Sequence, residues 1–569
     1  MKYDTDKKFC SILLDVVAEH GVRDVVCSPG SRNAPLLIAA SQRENLRKHV
    51  VVDERCAAFM ALGMALVSQR PVALICTSGS ALLNYSPAVA EAYYSGVPLI
   101  VISADRPEQW IDQDDSQTIR QFQVLRNFIK QSYELPAFGE EESELQWYAN
   151  RIANEAMIEA LSGKQGPVHI NMRFSEPLGR KIEKDPIPQR IIREIKADSI
   201  GNKEILNQLS DELSHSKVMI VSGFMQPDSK MQRVITDISS LPNVVIMAET
   251  LSNLHLRDYS TSIDSVLTAC DDEELDRHRP DIVISLGGAL VSRKLKEYLR
   301  RNSLYVRHWA LGNNNSLADC YMSMSLNIET EPVRFLRHVY GRMRKKHIDE
   351  GIEEYKHEWA RMRVKALKSK DDYIESIEWS ELKAFEIILK SLPQRMNLFL
   401  SNGTPVRYAQ LINYSLPHAS YCNRGVSGID GCVSTAIGGA KMYKENTLLI
   451  TGDLSMAYDI GSLALADIPD TMKIIVIDNQ GGGIFRFIPS TSLLEEREEY
   501  FCASPNLPLK ELCLGYGWKY IEANDFVSLK KGLNELFHST KKAIMRIICD
   551  GEKSAEILKD YMKVKANSI

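Results

Sequence analysis

Residues 447–483 of this 569-residue chain read TLLITGDLSMAYDIGSLALADIPDTMKIIVIDNQGGG and decide the fold class. Two short apolar runs, at 448–450 and 474–477, lie on either side of a segment long enough for a helix. This alternation predicts a parallel sheet with crossover helices. Asp453 follows the first run, and Asn479 and three glycines follow the second. Because ligands bind beyond the carboxyl ends of parallel strands, these positions are candidates for a binding site.

The same alternation recurs along the whole chain in three series. An amphipathic pattern over residues 5–20 predicts an opening helix. The predicted strands lie at 25–27, 50–52, 72–76, 99–103 and 168–172 in the first series, at 218–222, 244–247, 282–286 and 304–306 in the second, and at 398–400, 448–450, 474–477 and 543–548 in the third. We therefore expect an α/β protein with three doubly wound parallel-sheet domains. We place these domains at residues 1–180, 195–345 and 375–569.

Composition and charge limit the classes of function. The chain has 44% hydrophobic and 25% charged residues, as soluble globular proteins do, and its net charge of −5 gives no general attraction to nucleic acid. Its 11 cysteines include no CxxC pair, which indicates buried thiols in a reducing compartment. No apolar run approaches the roughly 18 residues of a membrane span, and the charged first residues do not look like a secretion signal. We expect a cytoplasmic protein that binds neither nucleic acid nor membrane.

Polar residues at the strand ends of the third series suit a metal and phosphate site. A carboxylate, an amide oxygen and a glycine-rich backbone are ligands that Mg²⁺ accepts when it carries phosphates. A turn after each strand would explain Asp453 and Asn479 equally well. In the first series, VVDERCAAFMALG at 51–63 places Glu54 where a strand gives way to an Ala-rich helix. This glutamate could serve chemistry or only cap the helix.

A Gly-Asp pair with a distant Asn, together with a Glu at a strand-to-helix junction, resembles the cofactor site of thiamine-diphosphate enzymes. The resemblance implies that thiamine diphosphate is the cofactor. It also implies that Asp453, Asn479 and the carbonyl of Gly481 bind Mg²⁺, with Mn²⁺ as an alternative. Glu54 is implied to hydrogen-bond N1′ of the aminopyrimidine ring and so to help generate the reactive carbanion. Two residues depart from the usual motif: Leu454 replaces the usual second Gly, and Asp478 replaces the first of the usual paired Asn residues. Neither departure removes a metal ligand.

Five further segments resemble a narrower family, the 2-succinyl-5-enolpyruvyl-6-hydroxy-3-cyclohexene-1-carboxylate synthases, and the likeness covers essentially the whole chain. They are CSPGSRN at 27–33, TSGSA at 77–81, SADRP at 103–107, DSQTI at 115–119 and NRGVSGIDG at 423–431. The resemblance implies decarboxylation of 2-oxoglutarate and conjugate addition of the succinyl carbanion to isochorismate, in menaquinone biosynthesis. It also implies an aminopyrimidine-binding first domain, a diphosphate-binding third domain, and a homodimer with shared active sites or, alternatively, a tetramer.

The resemblance also assigns roles to individual residues. Both substrates are dicarboxylates, and planar guanidinium groups match carboxylates with paired hydrogen bonds. The residues implied to contact substrate or to catalyse are Glu54, Arg32, Arg106, Gln117, Arg293, Lys294 and Arg407. Those implied to contact the cofactor are Ser31, Glu54, Arg424, Ile429, Asp453, Asn479, Gly481, Ile484, Phe485 and Ile488, with Ile429 under the cofactor's bend. Any one arginine taken alone could be an ordinary surface ion pair.

Two observations qualify these assignments, and two other functions stay open. Gly403 stands where the family commonly has Ser, which leaves Thr404 or a water molecule to supply that contact. None of the 12 histidines lies in the motif segments, which disfavours a His-assisted decarboxylase that releases an aldehyde. One alternative is another thiamine-diphosphate carboligase or decarboxylase, such as an acetolactate synthase, and the arginines argue against it. The other is a catalytically silent cofactor-binding module, and the intact Glu54, Asp453 and Asn479 argue against that.

Overall fold

A computed structural model of the chain describes residues 3–137, 141–183, 189–194, 202–255, 262–312, 317–346, 348–349 and 351–566. The chain divides into two compact units. The first unit comprises Met1–Lys196, Asn423–Thr447 and Tyr458–Met472, and the second comprises Ala197–Cys422, Leu448–Ala457 and Lys473–Ile569. Across the described ranges, no helix is both long and apolar enough to cross a lipid bilayer.

The N-terminal part of the chain contains a six-stranded parallel sheet, covered by helices, and a separate two-stranded ribbon. Its strands are β1 (Tyr3–Thr5), β2 (Asp24–Cys27), β3 (Arg47–Val50), β4 (Val72–Cys76), β5 (Leu99–Asp105), β6 (Ser132–Leu135), β7 (Val168–Arg173) and β8 (Lys181–Glu183). Its helices are α1 (Lys8–Glu19), α2 (Ala34–Ser41), α3 (Glu54–Ser68), α4 (Ser80–Asn84), α5 (Ser86–Ser95) and α6 (Glu142–Leu161). The sheet has the order β3-β2-β4-β5-β7-β6, and β1 pairs with β8 in a separate antiparallel ribbon.

The middle of the chain forms a five-stranded parallel sheet in the order β10-β9-β11-β12-β13. Its strands are β9 (Val218–Ser222), β10 (Val244–Ala248), β11 (Ile282–Leu286), β12 (Arg307–Leu311) and β13 (Met324–Ile328). The helices are α7 (Lys203–Ser214), α8 (Ser229–Ile238), α9 (Ile263–Ala269), α10 (Asp272–Arg277), α11 (Arg293–Arg301), α12 (Pro332–Met343) and α13 (Tyr355–Ser376). Val218 and Ile220 face one apolar core and Met219 and Val221 face another, so β9 is buried on both faces. This burial explains its uninterrupted apolar run.

The C-terminal part forms a second six-stranded parallel sheet, in the order β15-β14-β16-β17-β19-β18. Its strands are β14 (Asn397–Leu400), β15 (Ala419–Tyr421), β16 (Thr447–Gly452), β17 (Met472–Asp478), β18 (Lys519–Ala523) and β19 (Ala543–Ile548). The helices are α14 (Glu381–Lys390), α15 (Pro405–Tyr408), α16 (Cys432–Lys441), α17 (Asp453–Tyr458), α18 (Leu509–Gly515), α19 (Phe526–Phe537) and α20 (Gly551–Lys563). Short turns of 3₁₀-helix include Gly483–Arg486, and a π-turn spans Arg497–Cys502.

The two six-stranded sheets have the same strand order. In each, the first strand lies inside the sheet, the second strand lies on one side of it, and the third and fourth strands follow on the other side. The direction of winding therefore reverses between β2 and β4 in one sheet and between β14 and β16 in the other. Such switch points open a crevice beyond the carboxyl ends of the strands, where ligands bind.

The prediction of three parallel-sheet α/β domains is confirmed, and its errors lie mostly at sheet edges. Seven strands were not predicted from the sequence: β1 and β8 of the antiparallel ribbon, the interior strand β12, and the edge strands β6, β13, β15 and β18. The strand predicted at 304–306 is wrong, because Leu304 is 91% exposed in the turn that precedes β12. The strand predicted at 50–52 ends at Val50. The domain boundaries stay predictions, and the limits at residues 1, 195 and 569 lie outside the described residues.

Candidate active site

Two of the predicted metal ligands are joined by a hydrogen bond at the carboxyl ends of adjacent strands. Asp453 follows β16 as the first residue of α17 and is 5% exposed. Its Oδ2 accepts a hydrogen bond from the Gly481 amide at 2.7 Å, and its Oδ1 accepts one from the Leu454 amide at 2.8 Å. The loop after β17 is therefore tied to the end of β16. Gly481 has φ +119°, and a Cβ there would overlap the carbonyl oxygen of Cys502, so only glycine fits.

Asn479, the third predicted ligand, has one end of its side-chain amide engaged and the other end free. Nδ2 donates a hydrogen bond to Oε1 of Glu381 at 2.7 Å. Oδ1 is buried and has no hydrogen-bond partner in the described part of the chain. A buried amide oxygen without a donor costs free energy, and a hard cation would satisfy it. The free oxygen of Asn479 thus fits a Mg²⁺ ligand.

The electrostatics of this cluster also fit a cation. Burial raises the pKa of the Asp453 carboxyl to about 7, the charges of Asp478 and Glu381 add to the rise, and the hydrogen bond from Gly481 opposes it. Burial also raises the pKa of Glu381, and the neighbouring polar side chains of Asn479 and Thr404 oppose the rise. Within the described ranges, no lysine or arginine forms an ion pair with Asp453 or Glu381. A divalent cation would offset this buried negative charge.

The predicted apolar wall follows directly along the chain. Ile484 and Phe485 lie in the 3₁₀ turn and are half-buried, and the Ile488 amide donates a hydrogen bond to the Ile484 carbonyl at 3.2 Å. The Phe485 ring packs against Phe501 with centroids 5.8 Å apart. Arg486 is buried and donates to the Asn479 carbonyl at 2.7 Å, which fixes this loop to the strand end. All three residues thus lie in the loop that begins at the end of β17, and their role as an apolar wall stays a prediction.

Glu54 is the first residue of α3, but it is not the cap of that helix. The cap is Asp53, whose side chain accepts a hydrogen bond from the Cys56 amide at 3.1 Å. Glu54 is half-buried, and no described side chain donates a hydrogen bond to its carboxylate. Burial raises the pKa of the Cys76 thiol and the charge of Glu54 adds to the rise, which places the carboxylate near the end of β4. Glu54 is thus available to a ligand at the switch point of this sheet.

Helix α3 is fixed by very close packing against α16. A Cβ at Gly63 would overlap the Thr435 carbonyl oxygen, and one at Gly438 would overlap the Met60 carbonyl oxygen. The two backbones can approach this closely only because both positions are glycine. Near the start of α3, Asp459 accepts hydrogen bonds from the amide and the hydroxyl of Ser434, at 2.7 and 2.9 Å.

The loop that contains Arg424 and Ile429 is held by a buried carboxylate on α5. Glu91 is 2% exposed and accepts hydrogen bonds from the amides of Gly425 and Val426, at 2.6 and 2.8 Å. Two backbone donors on one buried carboxylate fix the loop in a single conformation. Arg424 and Ile429 are half-buried in the loop fixed in this way.

Two of the predicted substrate arginines lie close together in the first unit. Arg32 is 6% exposed, and its Nη1 donates to the Phe174 carbonyl and pairs with Glu176, both at 3.2 Å. Its Nε is buried without a hydrogen-bond partner in the described residues. Burial lowers the pKa of Arg32, and the charge of Arg106 lowers it further, so the two guanidinium groups are neighbours. An anion between them would relieve this repulsion.

Arg106 also organises the loop that contains Gln117. Its Nε and Nη2 donate to the Ser116 carbonyl at 2.9 and 2.7 Å, and its Nη1 pairs with Asp115 at 3.1 Å. Gln117 is exposed, has φ +60°, and lies against Gly79. The structure therefore brings the segments at 77–81, 103–107 and 115–119 into contact. Ser31 lies exposed at the start of the turn before α2, and its carbonyl accepts a hydrogen bond from the Ala34 amide.

A buried polar network lies behind this loop, and it includes a histidine. Gln121 accepts from the Gly79 amide at 2.8 Å and donates to Asn171 at 2.9 Å. Ser103 joins Asn171 to His169, with 2.8 and 2.7 Å separations. Burial lowers the pKa of His169 to about 3, so the ring is neutral at physiological pH. His169 supports the loop from β7, a role that the absence of histidine from the motif segments did not reveal.

The remaining predicted substrate residues lie in the second unit and pair locally. Arg293 and Lys294 begin α11, and both bind Glu297 on the same helix, at 2.6 and 3.2 Å. Their side chains are 75% and 49% exposed. Arg407, in α15, donates to the Gly403 carbonyl. Thr404 is buried beside Glu381, as its effect on the pKa of that residue shows.

The chain was compared with known protein families and with curated proteins. The family described as "Thiamine pyrophosphate enzyme, N-terminal TPP binding domain" matches residues 7–124. A 2-succinyl-5-enolpyruvyl-6-hydroxy-3-cyclohexene-1-carboxylate synthase of Porphyromonas gingivalis is 40% identical over 98% of this chain and 97% of its own length. Proteins of the same name from Christiangramia forsetii and Bacteroides thetaiotaomicron are 36% and 32% identical, over 99% and 98% of both chains.

The chain belongs to the 2-succinyl-5-enolpyruvyl-6-hydroxy-3-cyclohexene-1-carboxylate synthase family. The resemblance found from sequence motifs is thereby confirmed, and members of this synthase family are thiamine-diphosphate enzymes. The match to the thiamine pyrophosphate family covers the part of the chain that includes Glu54, Arg32 and Arg106.

Three buried residues that organise this synthase site were missed by sequence reasoning. They are Glu381, Glu91 and Gln121, and each lies outside the motifs. Glu381 reads as an ordinary first-turn glutamate after the helix cap Ser380, and Glu91 as a polar position in an Ala-rich helix. Their partners are 98 and more than 300 positions away, so local sequence carries no signal for them.

The raised pKa of Asp453 predicts how the metal-free, cofactor-free protein depends on pH. The carboxyl has a pKa near 3.8 when unfolded and about 7 when folded, so ionised Asp453 costs folding free energy once pH exceeds the unfolded pKa. Asp453→Asn should therefore stabilise the apoprotein by about 4 kcal/mol at pH 8, and the gain should shrink towards zero as pH falls from 7 to 4. Urea denaturation in the presence of a chelator measures this.

The matched control is Asp560→Asn, an exposed aspartate paired with Lys563 at 2.9 Å, which should change stability little at either pH. A pH-independent effect of Asp453→Asn, or a loss of stability at pH 8, contradicts the assignment of a buried, uncompensated carboxylate.

Proposed function

We propose that the chain decarboxylates 2-oxoglutarate and joins the resulting succinyl unit to isochorismate, forming 2-succinyl-5-enolpyruvyl-6-hydroxy-3-cyclohexene-1-carboxylate and CO₂ in menaquinone biosynthesis. The names and near full-length coverage of its relatives support this activity. The observation that carries the proposal is the buried cluster at the ends of β16 and β17. There, a carboxylate with a raised pKa and an unpartnered amide oxygen lie beside the backbone of Gly481.

Asp453, Asn479 and the carbonyl of Gly481 would hold a divalent cation with the cofactor's diphosphate. All three contribute oxygen, the ligand that Mg²⁺ prefers, and Mn²⁺ is the alternative. When bound, thiamine diphosphate supplies the carbon nucleophile and the electron sink for the loss of CO₂. Ile429, Ile484, Phe485 and Ile488 would exclude water from the reacting centre.

Glu54 would hold a proton at N1′ of the aminopyrimidine ring. Its half-buried carboxylate has no described donor, and Asp53 already caps the helix, so Glu54 can accept a hydrogen bond from a ligand. The packing of α3 against α16 fixes the start of the helix from which it projects. A carboxylate held in this way is suited to general acid and base work.

The substrates would be recognised through their carboxylates. Arg32 and Arg106 bring two positive charges together, and a dicarboxylate would neutralise them. Ser31 is exposed next to Arg32 in the chain, and Gln117 is exposed in the loop that Arg106 binds. Arg424 is proposed to lie near cofactor and substrate. Arg293, Lys294 and Arg407 are proposed as the remaining substrate contacts. To reach substrate, Arg293 and Lys294 would have to exchange their surface pairs with Glu297, which surface ion pairs readily do.

The activity is tested by incubating the protein with thiamine diphosphate, Mg²⁺, 2-oxoglutarate and isochorismate and identifying the product by mass. Glu54→Gln should lower turnover by several powers of ten because it removes the proton partner of N1′. The rate of hydrogen exchange at C2 of the bound cofactor reports this step directly. Asp53→Ala is the control: it should cost about 1 kcal/mol of stability through the lost cap while exchange persists. If Glu54→Gln exchanges the C2 hydrogen at the wild-type rate, Glu54 is not part of the active site.

Arg293→Ala should weaken use of substrate and spare binding of thiamine diphosphate. Loss of a charge-assisted pair of about 1.5 to 3 kcal/mol corresponds to roughly a 10- to 150-fold fall in kcat/KM. The control is Arg301→Ala on the same helix, where the guanidinium pairs with Asp272 and Asp276. If Arg293→Ala and Arg301→Ala have equal kinetics for both substrates, Arg293 does not contact substrate.

We also propose that the protein is a homodimer, or a tetramer, in which each site takes Glu54 from one subunit and Asp453 from the other. The two residues lie about 400 positions apart in separate units, so one chain need not supply both. Mixed dimers of inactive Glu54→Gln and inactive Asp453→Ala chains should regain up to half the wild-type activity per dimer. Mixed dimers that form, as verified by mass, and stay inactive would show that sites lie within single chains. The cytoplasmic location stays a prediction.

A further inference from the structure

Glu381 is a buried carboxylate to which neither the motifs nor the proposed mechanism gives a role. It is 2% exposed at the start of α14, and its own amide is fixed by a hydrogen bond to Ser554 at 3.1 Å. Its Oε1 accepts from Asn479, whereas its Oε2 has no hydrogen-bond partner in the described part of the chain. No described lysine or arginine pairs with it. Burying such a group costs several kcal/mol, so a specific task is expected of it.

The chemistry of this contact fixes the orientation of the Asn479 amide. An ionised carboxylate only accepts hydrogen bonds, so the amide must turn its Nδ2 towards Glu381. Oδ1 then faces the opposite way, and it is the atom found buried without a donor. With the opposite rotamer, two acceptors would meet at 2.7 Å, and an NH₂ group would face the cation site.

We propose that Glu381 is a positioning residue that turns the oxygen rather than the nitrogen of Asn479 towards the bound divalent cation. This inference rests on the proposed metal site and adds the residue that orients one of its ligands. Partners of this kind, one shell away from a metal, typically change its affinity 10- to 100-fold.

An isosteric variant tests orientation without changing volume. In Glu381→Gln, the glutamine amide can donate to Oδ1 of Asn479, which lets the asparagine turn its NH₂ group towards the cation. Mg²⁺-dependent binding of thiamine diphosphate, measured by calorimetry, should weaken roughly 10- to 100-fold. The melting temperature of the metal-free, cofactor-free variant should stay the same or rise, because an unpaired buried charge is removed. A purely structural role predicts a lower melting temperature instead.

The decisive variant exchanges the two chemical groups. Asn479→Asp alone places two carboxylates against each other and should also weaken binding. The double variant Glu381→Gln/Asn479→Asp restores one donor and one carboxylate at the pair, with an oxygen facing the cation, and should recover affinity to within a few-fold of wild type. Glu386→Gln is the control on the same helix, because that carboxylate pairs with Lys383 and Lys390 and should leave binding unchanged.

Failure of this inference can be separated from failure of the proposed metal site. If Asp453→Ala abolishes Mg²⁺-dependent binding while Glu381→Gln binds like wild type, or if the double variant is weaker than both single variants, Glu381 does not orient Asn479. If Asp453→Ala binds like wild type as well, the cation lies elsewhere and both proposals fall.

Discussion

The hydrogen bond from the Gly481 amide to the Asp453 carboxylate joins the ends of two adjacent parallel strands, and the arrangement around it depends on that bond. It holds a carboxylate in the protein interior, where ionisation is costly, beside two further acidic groups. The chain meets this constraint with backbone donors, with a glycine that no other residue can replace, and with Arg486 anchoring the loop through the Asn479 carbonyl. Asp478 is paired with Arg546, whereas Asp453 and Glu381 form no ion pair with a described lysine or arginine, and this arrangement favours a positive ligand.

Most interior strands could be predicted from sequence and most edge strands could not, although the edge strand β10 was predicted and the interior strand β12 was missed. Strands such as β4 and β9 are buried at every residue and begin with at least four consecutive apolar residues, which sequence patterns detect. The missed edge strands are short, with four residues in β6 and three in β15, and patterns this brief resemble those of loops. Leu304 and Tyr305 gave an apolar sequence pattern like that of a strand, although both residues are exposed.

The candidate site likewise contains residues that could be predicted from sequence and residues that could not. Asp453 and Asn479 follow strand ends directly, and Glu54 follows the end of β3 by four residues, so their positions follow from a local pattern combined with a general property of parallel sheets. Glu381, Glu91 and Gln121 act through hydrogen bonds to residues 98, 334 and 42 positions away, and nothing nearby distinguishes them from ordinary helix or loop residues. The sequence also could not show that Arg32 is buried beside Arg106 whereas Arg293 lies on a helix surface.

The identical strand order of the two six-stranded sheets is the pattern that an internal duplication leaves. In both sheets, the segment between the first and second strands carries a proposed substrate arginine, Arg32 or Arg407, and the turn after the fourth strand carries Arg106 or Asn479. In the proposed site, the loops of the first sheet carry Glu54, and those of the second carry the residues proposed to hold the metal and diphosphate. Because strand order alone sets where the crevice opens, either copy could change its loops without redesigning its sheet.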